Sequence, residues 1–143
     1  GAKTFKVHLD GYNITDSLAG RGPNPRQEFF YWNDDGSLVG LRHNQWKIVF
    51  AEQRAGGFDV WQEPFVVLRV PKIFNLRADP FEKGDVVGMD YRHWQVDHVF
   101  LLVPAQAFVG QFLQTFREYP QRQKAASFNL DDVLRKMQES AHT

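Results

Sequence analysis

The sequence predicts an α+β fold, in which an antiparallel β-sheet of about four strands carries C-terminal helices on one of its faces. In the first half of the chain, short aromatic and aliphatic runs are separated by turn residues, which is typical of strands joined by hairpins. In the second half, apolar residues recur at helical spacing. We therefore interpret residues 1–143 as a single domain with a lead-in segment 1–27, a sheet region 28–82 and a helical region 83–143.

The lead-in segment is predicted to contain little regular structure. Residues 3–9 alternate loosely between polar and apolar, which indicates either a strand or an extended connection. Residues 20–26 hold two glycines and two prolines and predict a loop.

Three strands joined by two short turns are predicted next. Residues 33–36 read Asn-Asp-Asp-Gly, which suits a tight turn in which Gly36 takes a positive φ angle. Asn44 and Gln45 form the second turn. Strands joined by so few residues must run in opposite directions, so the three form an antiparallel meander. The predicted strands are 28–32, 37–43 and 46–52.

Glycine and proline then interrupt the strand pattern. Residues 54–59 contain adjacent glycines and predict a loop. Residues 60–70 are ambiguous because Pro64 breaks a run that otherwise favours extended chain, and Pro71 interrupts again before a fourth strand at 73–76.

An Asp-Pro turn ends the fourth strand. Pro80 fixes its own φ angle and disfavours helical conformation at Asp79, so the strand must stop there. The Asp79 carboxylate can accept hydrogen bonds from backbone N–H groups just ahead and so begin the next turn or helix.

Helices are predicted for the remainder of the chain. Residues 90–102 have a helical pattern, and Pro104 either lies in the first turn of a new helix or kinks a long one. Pro120 ends this helix, and Asn129 caps a last helix with two aspartates in its first turn. The apolar stripe that we expect to lie on the sheet is Phe108, Val109, Phe112, Leu113 and Phe116.

The composition argues against several classes of partner. Lys+Arg and Asp+Glu balance at 17 each, which gives no electrostatic basis for binding nucleic acid or an anionic membrane. We expect no transmembrane helix, because no apolar run of 18 residues is apparent, and no signal peptide. Without cysteine the compartment stays open, and bacterial cytoplasm and periplasm are both compatible. A neutral chain with 15% aromatic residues suits a domain that packs against another.

Two groups of residues have the chemistry of metal ligands. His93, Asp97 and His98 occur on a predicted helix, where the i, i+4 spacing puts the first two on one face. A third and fourth ligand are lacking, so we favour a solvated helix face with Trp94 packed inward. The oxygen-rich loop of Asp10, Asn13 and Asp16 lacks the alternate spacing of a calcium loop, and turn chemistry explains it better.

Two further groups suggest catalysis or sugar binding. Asp34 and Asp35 are paired carboxylates, but a solvated hairpin tip is a poor site for acid–base work. Trp32, Trp61, Tyr31 and Phe58 have rings suited to stacking on sugars. Such rings more often belong to the core or to the buried part of a domain interface.

Four segments of the chain carry motifs in a fixed order. The third is an aromatic strand, a turn, an aliphatic-x-Arg segment that ends at Arg42, a turn, and Trp46-Lys47, and the fourth is Phe74-x-Leu-x-x-Asp-Pro-x-Glu82. This order resembles the C-terminal subdomain of the sulfatase (arylsulfatase) family. The resemblance covers nearly the whole chain, through residues 6–13, 18–26, 28–50 and 73–83.

The resemblance implies a parent that hydrolyses sulfate esters with formylglycine and calcium. That family makes formylglycine from the Cys or Ser of a Cys/Ser-x-Pro-x-Arg motif, whereas this chain has no cysteine and its nearest match, residues 17–21, has Ala19 in place of proline. The family's calcium and sulfate ligands belong to its larger N-terminal domain. We therefore assign no catalytic, cofactor-binding or metal-binding residue here, and we predict that this chain alone is inactive.

The role implied for this chain is structural. It would pack on the N-terminal catalytic α/β domain of the parent and shape the rim of the substrate cleft, with Trp46 in the core and Lys47 either in a salt bridge or facing the partner domain. The isolated chain is then expected to self-associate, above all through residues 58–68. Two alternatives stay open: a stand-alone module that binds carbohydrate or another small ligand, and an oligomerisation module.

Overall fold

A computed structural model of the chain describes residues 2–120. It contains a four-stranded antiparallel sheet with the strand order β1-β2-β3-β4, followed by helices, which confirms the predicted α+β class. The strands are β1 Glu28–Trp32, β2 Leu38–His43, β3 Trp46–Glu52 and β4 Val66–Asn75. The α-helices are α1 Thr15–Leu18, α2 Gly84–Val87, α3 Tyr91–Asp97 and α4 Leu102–Glu118, and 3-10 turns occupy Gly57–Trp61 and Val99–Leu101.

The predicted meander is confirmed, with both turns where turn chemistry placed them. Gly36 has a φ angle of 73° and donates its backbone N–H to the Asn33 carbonyl at 3.0 Å. The Asn33 side chain accepts a further hydrogen bond from the Ser37 N–H at 2.8 Å. In the second turn, Asn44 takes a φ angle of 52°, a left-handed conformation that asparagine tolerates better than most residues. The short side chains of the turn residues thus set the register of the strands.

The fourth strand is longer than predicted. We expected Pro71 to interrupt the chain before a strand at 73–76, but β4 runs without a break from Val66 through Pro71 to Asn75. Proline is tolerated here because β4 lies at the edge of the sheet and its pairing with β3 is irregular between Val49 and Ala51.

One row of side chains across the sheet forms the centre of the core. The residues paired across successive strands are Phe30, Leu41, Ile48 and Ile73, and the last three are buried. Helix α4 packs on this face through the buried Ala105. The segment that contains α2 lies against the opposite face, where its acidic side chains meet lysines of β3 and β4.

The apolar stripe of α4 faces the sheet, as predicted, in four of its five members. Three phenylalanines contact rings of the sheet: Phe112 stacks on Phe30 with ring centroids 4.1 Å apart, Phe108 stacks on His43, and Phe116 meets Trp32 edge-on. Val109 also packs against the core cluster. The inclusion of Leu113 was wrong, because its side chain is 43% exposed. The sheet therefore covers fewer side chains of α4 than the apolar pattern of the sequence indicates.

The Asp-Pro turn begins the next segment as predicted. The Asp79 carboxylate accepts hydrogen bonds from the backbone N–H groups of Lys83 at 2.9 Å and Gly84 at 2.7 Å. These bonds lower the pKa of Asp79. Glu82, within this turn, has a φ angle of 54°, which is uncommon for a residue other than glycine, asparagine or aspartate.

Helix α3 covers the outer edge of β4. The Tyr91 hydroxyl donates to the Ile73 carbonyl at 2.9 Å and accepts from the Ile73 N–H at 3.1 Å. The Gln95 side chain donates to the Pro71 carbonyl at 2.7 Å. Two side chains of α3 thus complete the hydrogen bonding of an edge strand that would otherwise be open to pairing with another chain.

Within residues 2–27 the lead-in segment forms no strand, and it contains the short helix α1, which was not predicted. His8 packs against the Tyr119 ring near the end of α4, and the Tyr12 hydroxyl donates to Glu28 at the start of β1. Residues 20–26 form the predicted loop.

The helical region begins in several short pieces. The predicted pattern over 90–102 is divided into α3, a 3-10 turn and the start of α4. Of the two places predicted for Pro104, the first turn of a new helix is confirmed, since this residue lies in the first turn of α4. The helix ends at Glu118, two residues before Pro120. The helix predicted after Asn129 lies outside the described residues.

One exclusion drawn from the sequence does not hold. Val99–Glu118, 20 residues with a mean hydropathy of 1.4, is long and apolar enough to cross a membrane by length and composition. A single such helix is weak support for a membrane span, because core helices of soluble proteins meet the same criterion. Here its phenylalanines contact rings of the sheet, while only 6% of the apolar window is buried.

Candidate functional site

The histidine and aspartate pattern of α3 does not form a metal site. His93 Nδ1 lies 2.5 Å from an oxygen of Asp90, while His98 Nδ1 bonds the Trp94 carbonyl and its ring stacks on Trp94 at 4.3 Å. Within residues 2–120, no group of three or more metal-ligating side chains converges. The Trp94 ring also stacks on Trp46 of β3, so this part of α3 is packing surface.

The oxygen-rich residues of the lead-in segment do not meet at one point either. Asp10 contacts His8, the Asn13 side chain accepts from the Thr15 N–H at 3.1 Å, and Asp16 pairs with Arg21 at 2.9 Å. Each is used in local turn chemistry, so these residues do not fit calcium. Ser17 lies in α1 without the proline of the formylglycine motif, so that group does not fit either.

The four rings of the predicted sugar-stacking platform are not brought together. Trp32 packs on α4 through Phe112 and Phe116, and Tyr31 lies beneath the ammonium group of Lys47 at 4.8 Å. Phe58 and Trp61 both lie in the 3-10 turn before β4, where they are 91% and 79% exposed. We call residues 58–68 the apolar segment, since Val67 is equally exposed.

Two lysines form three ion pairs on the sheet face opposite α4. Lys47 of β3 contacts both carboxylate oxygens of Glu82, at 2.7 and 2.8 Å, which confirms the salt-bridge alternative predicted for Lys47. Lys72 of β4 lies between Glu52 and Asp85, 2.5 Å from an oxygen of each. All these charged groups are less than about a third exposed, so solvent screens these pairs less than pairs on the open surface.

The pKa values of the Lys72 cluster follow from these contacts. The hydrogen bond from Lys72, against a smaller opposing effect of burial, holds the pKa of Glu52 below its ordinary value. For Lys72 itself, burial alone would lower the pKa, but the hydrogen bonds to Asp85 and Glu52 outweigh burial and raise it. Both partners therefore stay charged at neutral pH, which suits a structural clamp and not a proton-transfer pair.

A polar cleft with a volume of 600 Å³ lies at one end of the sheet. Three segments meet there because β1 begins, β2 turns into β3, and β4 ends at the same end of an antiparallel sheet. Two backbone hydrogen bonds join them, from Asn44 N–H to the Gln27 carbonyl at 2.8 Å and from Leu76 N–H to the Gln45 carbonyl at 2.7 Å. We call this the arginine cleft. Its lining includes Arg26, Arg42, Arg77, Asn24, Gln27 and Gln45.

Sequence reasoning missed the arginine cleft, because its arginines are far apart in the chain and belong to a loop, a strand and a turn. The strand register was the signal that could have found it. The predicted hairpin turns place the residue before β1 beside the turn after Arg42, and the Asp-Pro turn places Arg77 at the same end.

Comparison with models of known protein families and with curated proteins finds no match to this chain.

Proposed function

We propose that the chain is the C-terminal structural subdomain of an arylsulfatase, whose role is to pack on a larger catalytic α/β domain. The observation that carries this proposal is the ion pair between Lys47 and Glu82. Lys47 belongs to the Trp-Lys motif of β3, and Glu82 ends the Asp-Pro-x-Glu motif. Two motifs that are separate in the sequence therefore form a single contact, which gives a physical reason for them to occur together.

The geometry of the Asp-Pro-x-Glu turn adds to this argument. Asp79 holds the turn by accepting two backbone N–H groups, and Glu82 reaches Lys47 from a left-handed backbone conformation. Such a conformation costs about 1–3 kcal/mol and persists only where neighbouring contacts compensate for it. The Asp-Pro-x-Glu motif thus forms a turn that places the Glu82 carboxylate against Lys47.

Exposed apolar surface supports the packing role. In the apolar segment, Phe58, Trp61 and Val67 are each at least 79% exposed. Val86 of α2 is mostly exposed, and Met89, which follows α2, is fully exposed. Soluble monomers rarely leave contiguous apolar patches of large area in water. A second domain seated on such patches would remove them from solvent, and contacts between domains typically bury about 600–1,500 Å².

The coding sequence upstream of Gly1 tests the proposal directly. A Cys/Ser-x-Pro-x-Arg motif in the same reading frame would support a sulfatase parent. A reading frame that starts close to Gly1, or one that encodes another class of catalytic domain, would contradict it.

An activity assay tests the inactive role of this chain. The purified chain, given a chromogenic aryl sulfate and calcium, should stay at background. Turnover that survives repurification and is lost on a point substitution in this chain would contradict a purely structural role.

A stand-alone carbohydrate-binding module is the second candidate, favoured by the exposed rings of Phe58 and Trp61 in one 3-10 turn. Titration with neutral saccharides, followed by tryptophan fluorescence, separates the two candidates. A saturable response that is lost in Trp61→Ala but kept in Phe81→Ala, an exposed ring elsewhere, would favour the module. No response to any saccharide would favour the subdomain.

A further inference from the structure

We propose that the arginine cleft binds a small polyanion, meaning a molecule with two or more sulfate, phosphate or carboxylate groups. The cleft is formed by this chain alone, so the proposal goes beyond the proposed function and does not depend on it.

None of the three guanidinium groups forms a salt bridge with a carboxylate in residues 2–120, although the charge of Arg26 adds, behind the hydrogen bond from Tyr12, to the lowering of the Glu28 pKa. Arg42 donates its Nε–H to the Asn44 carbonyl at 3.0 Å, which fixes the side chain and leaves its Nη groups available. Arg26 donates to the Asp10 carbonyl, and its guanidinium lies 4.8 Å from the centre of the Tyr12 ring. Arg77 has no side-chain hydrogen bond or ion pair in the described part of the chain. Arginine stays charged at any working pH, so all three keep their charge.

Two lysines of the sheet, by contrast, have carboxylate partners. Lys47 pairs with Glu82, and Lys72 with Glu52 and Asp85. The two lysines are thus neutralised by this chain, whereas the three arginines converge on one cleft with a single carboxylate, Glu28, in its lining.

Glu28 does not neutralise the cleft. The Tyr12 hydroxyl donates to its carboxylate at 2.5 Å, and this hydrogen bond, against a smaller effect of burial, lowers the pKa of Glu28. Glu28 is therefore ionised and partly occupied, and the lining keeps an excess of two positive charges. A ligand with two or more negative charges matches this excess.

The size and the remaining lining indicate the class of ligand. A volume of 600 Å³ admits a molecule with several groups, well above a single inorganic ion. Asn24, Gln27 and Gln45 add amide groups, and guanidinium groups bind oxyanions through paired N–H donors. A long nucleic acid is disfavoured because the chain as a whole has no net charge.

The test is a titration of the full 143-residue chain, followed by NMR of its backbone amides. The probes are inorganic tripolyphosphate, a disulfated disaccharide and the same disaccharide without sulfate. Saturable shifts at residues 24–29, 42–45 and 77 are expected with at least one of the two anions and not with the neutral sugar. Binding of both anions identifies a general polyanion site, and binding of only one shows whether the cleft prefers phosphate or sulfate groups. Either result supports the proposal. Absence of saturation with both anions would overturn it.

Matched variants locate the site. Arg77→Ala and Arg42→Ala should each weaken binding about tenfold, since each removes a charge-assisted interaction. Arg69→Ala, an exposed arginine of β4 outside the cleft, should leave affinity unchanged. Glu28→Gln should strengthen binding about threefold, because it removes a negative charge that repels the anion and keeps a hydrogen-bond acceptor for Tyr12.

Thermal unfolding of the same variants separates a loss of binding from a loss of folding. The Arg77 side chain has no partner in residues 2–120, so Arg77→Ala should retain the thermal midpoint of the parent chain even if Arg42→Ala does not. Equal weakening by Arg69→Ala and Arg77→Ala, in variants that keep that midpoint, would refute a localised site.

Discussion

The bond between Tyr91 and the edge of β4 gives the sharpest stability prediction. Tyr91 is 8% exposed, and its hydroxyl both donates to and accepts from the backbone of Ile73, which is fully buried. Tyr91→Phe removes one oxygen and leaves the ring in place, stacked on Phe74. The substitution therefore tests the edge hydrogen bonds and not the packing.

The expected loss follows from the two backbone groups that are left without partners. A buried donor or acceptor that loses its hydrogen bond costs about 1–3 kcal/mol, and here both a donor and an acceptor of Ile73 are affected. Entry of water at the edge of the sheet would recover part of this cost. We therefore expect the free energy of unfolding to fall by about 2–3 kcal/mol.

The measurement is urea denaturation, with Tyr31→Phe as the matched control. The Tyr31 hydroxyl makes no hydrogen bond within residues 2–120, so its removal should change the free energy by less than about 0.5 kcal/mol. The slope with urea should be unchanged, since both variants should unfold to the same extent. A loss for Tyr91→Phe no larger than that of the control would refute the edge-capping role.

The pH dependence of stability provides a second readout of Tyr91. Burial is the main cause that raises the pKa of Tyr91 above its ordinary value of 10.0. The folded state holds this proton more tightly than the unfolded state. The contribution of Tyr91 to the free energy of unfolding is therefore complete below pH 10 and is lost as the pH rises through the folded-state pKa. Tyr91→Phe should therefore be less sensitive than the parent chain to alkaline unfolding.

Three further predictions follow from the core, the ion pairs and the exposed surface. Phe112→Ala should lower the free energy of unfolding by about 2–4 kcal/mol, and the adjacent Leu113→Ala by less than about 1 kcal/mol, in urea; equal losses would contradict the sheet-facing assignment. Lys72 lowers the pKa of Glu52, so the ion pair stabilises the folded state above the ordinary pKa of 4.5, and this stabilisation is lost as the pH falls through the lowered value. In denaturation measured from about pH 6 to 3, Lys72→Met should therefore lose less stability on acidification than the parent chain. Light scattering should give a mass of at least a dimer of the 16.6 kDa chain, and a monomer at every concentration would argue against an exposed domain interface at 58–68.

The parts of the fold that the sequence predicted are those set by local chemistry. The bounds of β1 and β3 were predicted correctly because turn residues with short polar side chains, or no side chain, lie directly beside them. The Asp79 turn was also predicted in its hydrogen bonds, since a side chain that caps nearby N–H groups acts only over a few residues.

The errors arose where distant residues override a local rule. Pro71 indicated a break, but a place at the sheet edge, an irregular pairing and a hydrogen bond from Gln95 to its carbonyl make it compatible with a continuous strand. For Leu113, the apolar pattern gave the hydrophobic side of α4 but not how much of it the sheet covers. The arginine cleft was not predicted because it depends on the sheet order.

The two halves of β4 differ in what covers them, and this difference locates the surface open to a partner. The C-terminal half is closed, because Tyr91 and Gln95 bond its outer edge and Ile73 is buried. The N-terminal half, with Val67 79% and Val70 57% exposed, has no comparable cover of its side chains in the described part of the chain. Exposed apolar edge strands are avoided in self-sufficient domains because they pair with other chains. Self-association of the isolated chain and the proposed packing on a larger domain would therefore use the same surface and exclude each other. If the proposed larger domain exists, a chain bound to it should no longer form oligomers through this half of β4.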